Sequence, residues 1–78
     1  MDILKAKDYF QLGVLTGATV HAANLMHPGG WTIEFSGKLG DASALFETMR
    51  GDVRQFKTLD AAAKVLLEIG FKQWSTVA

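Results

Sequence analysis

Seventy-eight residues are enough for one hydrophobic core and too few for two, and with 49% apolar and 21% charged residues the chain is not expected to be wholly disordered. Eight Lys and Arg balance eight Asp and Glu, which excludes the broad positive field of a general nucleic-acid or anionic-membrane binder and equally an acidic nucleic-acid mimic. No cysteine is present, so disulfides and thiolate metal ligation are excluded, and core packing or self-association must stabilise the fold.

The chain opens with Asp2 and Asp8 among lysines and without a continuous apolar run, a pattern of neither a signal peptide nor a membrane span. A cytoplasmic protein is expected. From Ile3 to Leu15 the residues Ile3, Ala6, Phe10, Gly13 and Val14 follow helical spacing, with Lys5, Lys7, Asp8 and Gln11 on the other faces. Asp2 is the expected N-cap and Gly17 the expected terminator of this helix, while Gly13 inside it, costing about 1 kcal/mol relative to alanine, marks either a close approach of helix to sheet or a local end to the helix. Ala18 to Met26 is less periodic and leads into His27-Pro28-Gly29-Gly30, where Pro at the second and Gly at the third position suit a type II turn. Trp31, Ile33 and Phe35 then alternate with Thr32, Glu34 and Ser36, predicting a strand buried on one face and forming a hairpin with the preceding segment.

Gly37 to Asp41 is a second turn, and Ala44 to Arg50 is assigned to a third strand, with an extended stretch beyond Gly51-Asp52 as far as Phe56. Leu45, Met49, Val53 and Phe56 also recur at helical spacing, and the interrupting Gly51 inclines the assignment to strand. A second helix is predicted from the Thr58 N-cap, with Asp60 in its first turn, Leu59, Ala62, Val65, Leu66 and Ile69 on one face, and Gly70 at its end. Phe71 to Val77 alternates as a closing strand, with Trp74 on the face opposite Phe71 and Val77. The order α-β-β-β-α-β predicts a single α+β domain over residues 1–78, with a mostly antiparallel sheet of three to four strands and both helices on one face. Nothing in the chain resembles a linker, an internal repeat or a low-complexity tract.

His21 and His27 are the only imidazoles. Six residues of extended chain separate them by roughly 20 Å at about 3.3 Å per residue, against metal-ligand distances of about 2 Å, so no metal site is expected. Glu34, Asp41, Glu47, Asp52, Asp60 and Glu68 are scattered, and the serines at 36, 43 and 75 lack a nucleophile-elbow context. No catalytic residue, cofactor or enzymatic activity is therefore expected. Arg50-Gly51-Asp52 matches the cell-adhesion tripeptide, but its residue types are also those of a tight turn.

Trp74, of the wrong parity for the core, points to a protein-binding surface together with Trp31 and Lys72, and an edge strand beside it could pair with a second copy. The expected partners are another protein and a second copy of the chain. The alternative is a nucleic-acid surface made by Arg50, Arg54, Lys57, Lys64 and Lys72, with a tryptophan as stacking platform.

The order of the first five elements resembles the α-β-β-β-α layout of double-stranded RNA-binding domains. Those domains start their second helix with lysines that reach RNA phosphates, whereas Thr58-Leu59-Asp60-Ala61-Ala62-Ala63-Lys64 offers an acid, alanines and one lysine. A further likeness runs through Ala6-Lys7-Asp8-Tyr9-Phe10-Gln11-Leu12-Gly13, Pro28-Gly29-Gly30-Trp31-Thr32-Ile33-Glu34-Phe35, the segment from Arg50 to Ala62, and Leu67-Glu68-Ile69-Gly70-Phe71. In these stretches the chain resembles very short partition-associated or accessory proteins carried on bacterial plasmids and integrative conjugative elements. The resemblance implies a non-enzymatic accessory role on a mobile element, through contact with a partition, replication or host-defence protein. A small inhibitor of a host defence system, such as an anti-CRISPR protein, fits the same size and setting.

Overall fold

The computed structural model describes residues 1–22 and 30–78. Its elements are α1 (Ile3–Gln11), β1 (Leu15–Ala22), β2 (Trp31–Gly37), α2 (Leu59–Ile69) and β3 (Ser75–Val77). The fold class is α+β, with two helices and a three-stranded mixed sheet in the order β2-β1-β3.

Asp2 caps α1 as expected, its carboxylate accepting from the Lys5 N–H at 2.9 Å and so satisfying an otherwise unpaired first-turn amide. The helix ends at Gln11, earlier than the predicted Leu15, because Gly13 takes a left-handed φ of 77° and turns the chain into β1. Gly17, predicted to end the helix, lies inside β1 instead, where the pairing register with β2 slips between Leu15 and Gly17.

β1 and β2 form the predicted antiparallel pair, aligning Ala18 with Phe35, Val20 with Ile33 and Ala22 with Trp31. Ala18, Val20, Ile33 and Phe35 are buried, whereas Glu34 and Ser36 are exposed, so the alternation in the sequence does mark one core-facing side. Residues 27–29 of the type II turn expected at His27 to Gly30, and the end of the strand expected to run to Met26, lie outside the described residues.

The third strand is reduced to isolated bridges. The Phe46 N–H donates to Ile33 O at 2.9 Å and the Phe35 N–H to Ala44 O at 2.7 Å, with Glu34 bridged to Leu45. Continued in that register, Thr48 would face Trp31. Phe56 does so instead, exchanging two 2.8 Å backbone bonds with Trp31. The intervening chain loops out as a small hairpin closed by the Glu47–Val53 bridge, with Thr48 N–H donating to Asp52 O at 2.7 Å and Gly51 N–H to Thr48 O at 2.9 Å. This excursion lets both Phe46 and Phe56 enter the core, where their rings stack with centroids 6.0 Å apart.

α2 keeps its predicted limits. Thr58 Oγ1 accepts from the Ala61 N–H at 3.1 Å, and Gly70, with φ of 130°, ends the helix. Ala62, Leu66 and Ile69 are buried, but Leu59, predicted on the same face, is exposed at the helix entrance. Ala6 of α1 and these α2 residues join Val20, Ile33 and Phe35 in one buried cluster, so both helices cover the same sheet face. Full burial of each large side chain in it contributes about 1.5–3 kcal/mol.

The closing strand differs most from expectation. It begins only at Ser75, and it runs parallel to β1, aligning Thr19 with Ser75, Val20 with Thr76 and His21 with Val77. The sheet is therefore mixed, not mostly antiparallel. The helices explain the direction: Lys7 pairs with Glu68 at 2.9 Å, and Phe10 meets Phe71 edge-on at 4.8 Å, so α1 and α2 advance the same way and deliver their following strands side by side.

Candidate functional site

The tryptophan surface inferred from the sequence is not assembled. Trp74 is half-buried and packs against the core, so it does not stand on the uncovered sheet face. The parity argument fails because residues 71–74 are not strand: Phe71 turns directly from the end of α2 into the core, and alternation begins only at Ser75. Val77 is an apolar residue on the open face, 50% exposed and level with His21. Trp31 also packs on the core, level with Ala22 at the far end of β1, while Trp74 precedes Ser75, which is level with Thr19. Four residues, about 13 Å along the strand, and two strand spacings of about 4.8 Å each separate the two tryptophan positions. Lys72 is exposed in the segment leading to Trp74.

The basic residues of the nucleic-acid alternative are dispersed. Arg50 sits at the turn of the 47–53 hairpin, and the Arg54 guanidinium lies over the Phe56 ring, 5.1 Å from its centroid. Lys57 precedes the Thr58 cap, Lys64 is on the exposed side of α2, and Lys72 follows its C-terminus. The helix between Lys57 and Lys72 is about 16 Å long at about 1.5 Å per residue. The three-strand meander behind the likeness to double-stranded RNA-binding domains is also absent as regular structure, since its third member makes only bridges. Arg50-Gly51-Asp52 occupies a hairpin turn with Gly51 at φ 94°, the conformation behind the turn reading of that tripeptide.

On the open face of the sheet, His21 Nε2 and Glu34 Oε1 lie 3.0 Å apart beside Thr19 and Thr32. Both side chains are solvent-accessible, which limits the pair to about 1 kcal/mol or less. His27 lies outside the described residues. Among the described residues no group of three His, Asp or Glu side chains converges as a metal site would require.

Two clefts accompany these features. One, of about 190 Å³, lies between α1, the 47–53 hairpin and α2, with Ile3, Phe46 and Val65 among its walls. Its acidic groups already have structural partners: Glu47 receives the Met1 ammonium at 2.8 Å and Glu68 the Lys7 ammonium at 2.9 Å. The other, of about 290 Å³, opens where β1 and the chain entering β3 diverge, and is lined by Thr16, Gly17, Ala18, Gln73, Trp74 and Ser75. Sequence reasoning picked out Trp74 alone of this group. Its companions come from segments whose proximity depends on the parallel β1–β3 pairing, for which no local signal exists.

β3 itself is a third feature. The sheet order leaves it at an edge, while the outer side of β2 is met by the bridges from Leu45 and Phe56. Ser75, Thr76 and Val77 are all exposed and include no charge and no proline. Comparison with models of protein families, with curated proteins and with solved structures gives no match to this chain.

Proposed function

We propose that this chain is a non-enzymatic module that acts by protein–protein contact and pairs with a second copy of itself through β3. The observation behind this reading is the uncharged, uncovered edge. Natural sheets blunt exposed edges by keeping them short or with charges, prolines, bulges or covering segments; Ser75-Thr76-Val77 is short, but it has no charge, no proline and no described chain along its outer side. Threonine and valine favour strand pairing. An antiparallel partner centred on Thr76 would set Thr76 against its own copy and Ser75 against Val77, with no like charges opposed. The two three-stranded sheets would then form one continuous sheet, and the open faces bearing His21, Glu34 and Val77 would become one surface for a further protein. The sequence resemblance would place such a module among the accessory proteins of plasmids and conjugative elements.

Light scattering on size-exclusion fractions tests the pairing. A species of about twice the 8.5 kDa chain mass is expected, reverting to a single chain in Thr76→Pro, which removes a ladder donor. A strictly monomeric wild-type protein at high micromolar concentration would overturn the reading.

A further inference from the structure

We propose that the cleft between β1 and the Gln73–Ser75 segment binds one adenine-type ring, stacked on Trp74 and read along its edge by Gln73 and the backbone of β1. β3 pairs with β1 only from Thr19 onward, so among the described residues no strand lies beside Thr16 to Ala18 on that side. A strand edge without a neighbour presents alternating amide donors and carbonyl acceptors. These same residues form one wall of the cleft, and Gln73, Trp74 and Ser75 form the other.

The chemistry of the walls selects the ligand. Every lining side chain is uncharged, so nothing here compensates a phosphate or carboxylate. The indole is held by the core and half-buried while lining the cleft, so it is a stacking partner that loses little further freedom on binding. Aromatic side chains of this kind stack nucleobases. A glutamine carboxamide matches the paired donor and acceptor on the adenine edge, and the free strand edge supplies further groups of both kinds. The cleft, of about 290 Å³, has room for one fused ring. The Thr16 hydroxyl lies 3.4 Å from Ser36 O, and Gln73 is the side chain assigned to read the ring.

The ring could belong to a free nucleoside or to an unpaired base in a strand, and both are tested. Adenosine, uridine, glucose and a short single-stranded oligo-dA are titrated separately into the isotope-labelled full chain, with amide shifts followed by NMR. Saturable shifts at Gly17, Ala18, Gln73 and Ser75 are expected with adenosine in the millimolar range, at least several-fold weaker with uridine, and none with glucose. Tighter binding of oligo-dA than of adenosine would identify a strand as the source of the base, and equal or weaker binding a free nucleoside. Gln73→Ala, an exposed position outside the core, should weaken adenosine several-fold while leaving the rest of the spectrum in place. Trp74→Phe should keep the fold and reduce the affinity. Absence of saturable shifts with adenosine and with oligo-dA overturns the proposal. So does binding unchanged by Gln73→Ala, or glucose shifting the same amides.

Discussion

At the scale of single residues, stability concentrates where the helices meet the strands. Phe35 is 2% exposed and packs against both Phe46 and Phe71, with ring centroids 6.1 Å away in each case. Truncation to alanine empties the centre of that cluster, and Phe35→Ala should lose about 3–5 kcal/mol in urea denaturation. A loss below about 1 kcal/mol would mean that the aromatic cluster is not the core. Gly70 is constrained twice, by its φ of 130° and by the Phe10 ring, whose Cε1 would lie 2.5 Å from an added Cβ. At Gly51 the backbone is also left-handed, with φ of 94°, but an added Cβ meets nothing within 4 Å. Gly70→Ala should therefore destabilise clearly more than Gly51→Ala, where backbone strain of about 1 kcal/mol acts alone. Equal thermal shifts for the two variants would contradict the packing of Phe10 against the end of α2.

At the scale of elements, both helix starts and the end of α2, set by local caps and a terminating glycine, match their sequence signals, the end of α1 falls earlier at Gly13, and limits set by distant partners do not match. The Asp2 and Thr58 caps are formed by side chains reaching amides three residues on, which is why both helix starts are legible. Replacing Thr58 with alanine should cost about 1 kcal/mol, read as a lowered denaturation midpoint without a changed slope. The third strand was less legible because Phe46 and Phe56 both seek the core and the chain between them is too long to stay in register. Its excursion yields a direct test. Joining Glu47 to Phe56 by deleting residues 48–55 would bring Phe56 to the place that continuous pairing assigns opposite Trp31. That variant should fold, with amide signals of β1, β2 and α2 close to wild type. A spectrum of an unfolded chain would show that the hairpin is required for the fold.

At the scale of the whole molecule, the parallel partnership of β1 and β3 decides what is accessible. It places an uncharged edge at one side of the sheet, opens the cleft beside Trp74, and leaves His21, Glu34 and Val77 on a face that neither helix covers. If β3 pairs with a second copy, thermal stability must depend on concentration by mass action, so the melting temperature should rise with protein concentration in the wild type and stay constant in Thr76→Pro. A melting temperature independent of concentration in both would separate the edge from any role in association. No helix of the described residues is long and apolar enough to cross a membrane.

Caps, terminators and alternation act over a few residues, which makes the α+β class, both helix starts, the end of α2 and the inward face of β2 readable from local signals. Tertiary structure alone decided the direction of β3, the looping-out of the 47–53 hairpin and the half-burial of Trp74. Each of these depends on which distant surfaces compete for the same core: Phe71 turns inward against Phe10 and Phe35, the strand starts late, and the alternation that would expose Trp74 does not begin at Phe71.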